Sequence, residues 1–147
     1  MSGGDLRILM ADDDPDDRLL IQEAMDEAGL NSQMDFAVDG EDLLDRLHKR
    51  GDYTDTTEPL PDLLLLDLNM PRKDGRECLE EIRAEASLCH LPVVVLTTSS
   101  AQEDVMRCYR LGANSFVSKP VNFDGMVELV RNLLAYWSQS SVRLPVS

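Results

Sequence analysis

Residues 63–75 read LLLLDLNMPRKDG. Four successive leucines with no helical period suit a strand buried on both faces of a sheet. The run stops on a carboxylate, Asp67. Met70-Pro71 and Lys73-Asp74-Gly75 then announce a loop and a new helix. An acid at the carboxyl end of a central parallel strand stands where open α/β sheets bind ligands. The bland reading of Asp67 is a salt-bridged structural acid. The partners supplied by the rest of the chain weigh against that.

On the amino side, Leu6–Ala11 (LRILMA) is a short apolar strand that runs into Asp12, Asp13 and Asp14. Asp14 fits a helix N-cap, Pro15 the first helical position, and Asp16 and Asp17 the positive end of the helix dipole. Leu20, Ile21, Ala24, Met25 and Ala28 recur at helical spacing up to Gly29. Met34–Val38 alternates as a second strand. Asp39-Gly40 opens a helix with Leu43, Leu44 and Leu47 toward the core. Residues 49–61 (KRGDYTDTTEPLP) are polar and aperiodic, a loop that is either functional or tolerated surface.

Beyond the leucine strand, Asp74 and Glu77 form a capping-box-like pair. Cys78, Leu79, Ile82 and Ala86 make the buried stripe of the helix that follows, with the thiol read as packing. Pro92–Leu96 (PVVVL) is another two-sided strand, ending in Thr97, Thr98, Ser99 and Ser100. Ser100 and Glu103 cap a helix carrying Val105, Met106 and Tyr109 that stops at Gly112. Ser115–Ser118 (SFVS) is a fifth strand, broken at Lys119-Pro120. Asn122 caps a last helix running to about Trp137. Five βα units demand an α/β, flavodoxin-like (βα)5 doubly wound parallel sheet with right-handed crossovers and strand order 2-1-3-4-5.

The 147 residues fit one domain (1–147), with a core of about 5–138 and a tail at 139–147. Hydrophobic content of 43% and charged content of 29% are those of a soluble globular chain. Lys+Arg of 14 against Asp+Glu of 28 gives 14 − 28 = −14, which argues against nucleic acid and anionic lipid as partners. No apolar stretch is long enough to span a bilayer, and MSGGDLR lacks a signal-peptide core. Cys78, Cys89 and Cys108 form no CxxC, which suits reduced thiols in the cytoplasm.

The predicted topology brings four strand ends together: Asp12 and Asp13, Asp67, Thr97, and Lys119. Three crowded acids raise one another's pKa unless a cation neutralises them. Carboxylate and carbonyl oxygens with room for water suit Mg²⁺. A hydroxyl and an ammonium beside that cation suit a phosphoryl group. Such a site has Asp67 attacking phosphorus while Mg²⁺, Lys119 and Thr97 stabilise the transferring charge.

Asp12-Asp13, Asp67-Leu68-Asn69-Met70-Pro71 with Gly75, Thr97, and Lys119-Pro120 resemble the receiver domain of two-component response regulators. The resemblance covers essentially the whole chain. It implies Asp67 as phosphoacceptor, Asp13 and the Asn69 backbone carbonyl as metal ligands, and Asp12 holding metal-bound water. It further implies Thr97 and Phe116 as a switch pair, Asn69 and Ser99 as residues tuning dephosphorylation, and a cis bond between Lys119 and Pro120. DLNMPRKDGRE and the loop before the leucine strand are most similar to stand-alone regulators associated with phytochrome histidine kinases. The implied partner is therefore a histidine kinase or a histidine phosphotransfer protein, and the output is protein contact or phosphate relay.

Other classes fit less well. An aspartyl-phosphate phosphohydrolase of the haloacid-dehalogenase kind needs an acid two residues after the nucleophile, where Asn69 stands. A P-loop protein needs a GxxxxGK run, which is absent. A phosphorylation-independent adaptor would not need the acid set. On the last helix, Phe123, Val127, Val130, Leu134 and Trp137 fall within an arc of about 80°, and Met126, Leu129, Leu133 and Tyr136 widen it to roughly 180°. One sheet face does not cover so wide an arc, so the second stripe is expected to form a homodimer interface.

Overall fold

The computed structural model describes residues 6–29, 33–98 and 102–139. Five parallel strands, β1 (Arg7–Ala11), β2 (Gln33–Ala37), β3 (Leu63–Leu66), β4 (Val93–Thr97) and β5 (Ser115–Ser118), lie in the order β2-β1-β3-β4-β5. The helices alternate with them: α1 (Pro15–Glu27), α2 (Gly40–His48), α3 (Gly75–Ala84), α4 (Gln102–Arg110) and α5 (Phe123–Gln139). The expected fold and strand order are those observed.

Side-chain alternation splits the core into two layers. Leu64, Leu66, Val93 and Val95 face α2, α3 and α4, while Leu63, Leu65, Val94 and Leu96 face α1 and α5. A strand covered on both faces has no solvent side to keep polar, which is why β3 and β4 are unbroken apolar runs. The caps follow local chemistry. Asp14 accepts from the Asp16 N–H, and Asp74 and Glu77 form a complete reciprocal capping box.

Several expectations are corrected. The stripe on α3 stops before Ala86, because Glu85 is extended and the helix ends at Ala84. The 49–61 segment is no bare loop: Gly51–Tyr53 is a turn of 3-10 helix, and the Tyr53 hydroxyl donates to Asp42 at 2.6 Å. Met126 is 1% exposed and belongs to the core. The arc argument failed because α5 packs on two neighbours, the sheet and α1, so a wide apolar face is covered. Leu129 and Leu133 are half-buried and Tyr136 is 56% exposed. Among the described residues no peptide bond is cis, so Lys119–Pro120 is trans. The trans chain still lets the Lys119 N–H donate to the Thr97 carbonyl at 2.8 Å, so the strand-end geometry is met without the rarer isomer.

Candidate functional site

Three backbone hydrogen bonds fix where the strands end. The Asp12 N–H donates to Ala37 O at 3.0 Å, the Asp67 N–H to Ala11 O at 3.0 Å, and the Lys119 N–H to Thr97 O at 2.8 Å. Each functional residue therefore leaves the sheet at its carboxyl edge. Gly75 then draws α3 close. Its N–H donates to Leu68 O at 2.8 Å, and a β-carbon there would lie 2.3 Å from the Asp67 carbonyl oxygen, so only glycine permits the approach.

Asp12 is fully buried and Asp67 is 6% exposed, while Asp13 opens to solvent. One carboxylate oxygen from each comes within 4.8 Å of the other two. A single ammonium answers them. Lys119 Nζ lies 2.8 Å from Asp12 Oδ2, 2.7 Å from Asp17 Oδ2 and 3.3 Å from Asp67 Oδ2. Burial pulls the Lys119 pKa down, but the close carboxylates of Asp12 and Asp17 and the charge of Asp67 leave it raised overall. Burial is also the main force on Asp12, whose pKa is raised despite Lys119 and the Asp14 N–H that donates to Oδ1 at 2.9 Å.

Asp12 Oδ2 meets Lys119 closely but outside hydrogen-bonding geometry, which leaves a buried oxygen without a hydrogen bond. Such an atom beside two further carboxylates fits a hard divalent cation of the Mg²⁺ class. Asn69 lies at the same mouth, and its N–H approaches Asp67 Oδ1 at 3.4 Å.

The remaining expected residues divide. Thr97 is fully buried at the end of β4. Phe116 is half-buried against the layer under α3 and α4, and its N–H donates to the Tyr109 hydroxyl at 3.1 Å. Ser99 and Ser100 lie outside the described residues. The sequence reading missed Asp17, assigned only to the helix dipole. It also missed Thr98, which borders the cleft with Asp13, Asp67, Asn69 and Lys119, and Arg18, whose Nη1 donates to Asp12 O at 2.7 Å. Cys78 is inert: burial pushes its thiol up to about 12.

Residues 8–131 match the family described as the response regulator receiver domain. The chain is 36% identical over 140 residues to response regulator Rcp1 of Synechocystis sp., covering 95% of this chain and 93% of that protein. The structure of the Mn²⁺-bound form of Rcp1 superposes with a TM-score of 0.84 at 35% identity, covering 96% of this chain and 99% of the other. The phosphorylated cyanobacterial phytochrome response regulator RcpA gives a TM-score of 0.85 at 33% identity, covering 94% and 97%.

Proposed function

Since the chain belongs to the family of response regulator receiver domains, a phosphoacceptor signalling switch, we propose that Asp67 is the residue that takes the phosphoryl group. The observation that carries this is the shared ammonium: from the end of β5, Lys119 reaches past β4 to Asp67 after β3, Asp12 after β1 and Asp17 on α1. The donor is a histidine kinase, phytochrome-like on the strength of the RcpA likeness, or a histidine phosphotransfer protein. A carboxylate oxygen of Asp67 forms the new P–O bond as the donor's P–N bond breaks, and the imidazole leaves with the electron pair.

Asp12, Asp13, Asp67 and the Asn69 carbonyl would hold Mg²⁺, which when bound neutralises charge on the transferring group. Lys119 places its positive charge beside Asp67, where charge accumulates. The Thr97 hydroxyl turns to the phosphoryl oxygens, and Phe116 fills the space it leaves, repacking the face between β5 and α4. Asn69 and Ser99 set how fast water removes the phosphoryl group. The setting is cytoplasmic; among the described residues no helix is long and apolar enough to cross a membrane. The function is tested by labelling with acetyl phosphate and Mg²⁺: wild type takes up one phosphoryl group and Asp67→Asn none. Undiminished labelling of Asp67→Asn overturns the assignment.

Output is by protein contact, including a homodimer through Leu129, Leu133 and Tyr136 of α5. These side chains border a groove along edge strand β5 with Val94 and Val117, and the arrangement leaves the Asp67 cleft open to a kinase. Leu133→Glu with Tyr136→Glu is expected to give a folded monomer in light scattering. A wild-type chain that is monomeric at high concentration, phosphorylated or not, contradicts the dimer.

A further inference from the structure

Asp16 and Asp17 both occupy the first turn of α1, where the helix dipole favours acids. They differ in what they reach. Asp16 is exposed, whereas the side chain of Asp17 is 29% exposed, and its Oδ2 accepts from Lys119 Nζ at 2.7 Å across 102 residues of sequence. A dipole partner has no need of that contact.

We infer that Asp17 is a positioning residue that holds the Lys119 ammonium in place while its other partners change, a role resting on the reading of Asp67 as phosphoacceptor. The ammonium has three N–H donors and three carboxylates around it. During transfer two of the three are altered. Asp67 becomes an acyl phosphate and loses its carboxylate charge. Asp12, with Asp13, belongs to the acid group whose oxygens converge within 4.8 Å and suit a cation. Asp17 is outside that group. It projects from the first turn of α1, and among the carboxylates on Lys119 it is the one that neither takes the phosphoryl group nor belongs to the converging acids. With Asp17 in place, the N–H freed from Asp67 points to the new phosphoryl oxygens. Without it, a four-carbon chain with high rotamer entropy must find that direction itself.

The test measures phosphorylation by acetyl phosphate with saturating Mg²⁺; the donor's P–O bond breaks, acetate leaves, and the Asp67 O–P bond forms. Asp17→Ala is expected to lower the rate at saturating donor about tenfold, the loss of one charge-assisted hydrogen bond, with KM unchanged or lower. Asp17→Asn, nearly isosteric and still an acceptor, is expected to recover part of the rate. In a Lys119→Ala background, Asp17→Ala is expected to add nothing. If Asp17 acted only by repelling the anionic donor, its removal would lower KM and leave the saturated rate unchanged or higher, and that result overturns the inference. So does an equal slowing in the Lys119→Ala background, because the effect would not pass through the lysine. A wild-type chain that takes up no phosphoryl group overturns the reading of Asp67 instead, and the role of Asp17 with it.

Discussion

At the carboxyl end of the sheet one lysine is shared by Asp12, Asp17 and Asp67. At the amino end one arginine, Arg46, is shared by Asp35 and Glu58, each at 3.4 Å, and its guanidinium lies 5.2 Å from the centre of the Tyr53 ring. The inventories are alike and the settings are not. Lys119 is 7% exposed and Asp12 fully buried, whereas Arg46 is 21% and Glu58 54% exposed. Water competes for every contact in the second cluster, so its pairs hold the 49–61 segment against β1 and α2 weakly. In the first cluster water is largely excluded and the acids exceed the cation, an imbalance that suits a divalent metal. Burial, more than charge count, separates a site from a clasp.

Lys119→Ala is the largest break of that contrast. It leaves Asp12 buried without its cation, and the metal-free protein is expected to lose about 3–5 kcal/mol in urea unfolding. Saturating Mg²⁺ is expected to restore part of the loss by supplying the missing charge. Because burial raises the Asp12 pKa, the fold holds that proton more tightly than the unfolded chain does. Its charged form is therefore a penalty that is absent below the ordinary carboxylate range and complete above the raised pKa, so the deficit shrinks as pH falls.

Asp13→Ala is expected to act in the opposite direction. Asp13 is exposed and belongs to the converging acids, so removing it relieves repulsion and raises metal-free stability by about 1 kcal/mol. Mg²⁺ affinity is expected to fall at least about tenfold, since a small hard ion loses a charged ligand. Equal melting temperatures and unchanged Mg²⁺ titration would contradict both halves.

Glu58→Ala is expected to do least. It removes one acceptor from Arg46 at 3.4 Å and one from Arg7 at 3.9 Å, and exposed pairs of this kind contribute at most about 1 kcal/mol. A loss as large as that of Lys119→Ala would erase the distinction between the two ends.

Much of this was legible in the chain. Residues 63–66 gave a buried strand because four leucines admit no solvent face, and Asp14 and Asp74 gave helix starts because their carboxylates answer the backbone N–H groups beside them. What was not legible required tertiary neighbours. Met126 is core because α1 closes over α5 beside the sheet. The Asp17–Lys119 contact joins residues far apart in sequence, and no local pattern marks which of two adjacent dipole acids turns inward. The arginine clasp at the other end was missed because residues 49–61 carry no period, while their order comes from Arg46, Asp42 and Arg7 outside them.

The central claim is that Asp67 carries the phosphoryl group. Borohydride reduces an aspartyl phosphate to homoserine, so reduction of the acetyl-phosphate-treated protein, followed by peptide mapping, reads the site directly. Homoserine at position 67 alone is the expected result. Homoserine at 12 or 13, or a stable label on His48 or His90 with none at 67, would contradict the account.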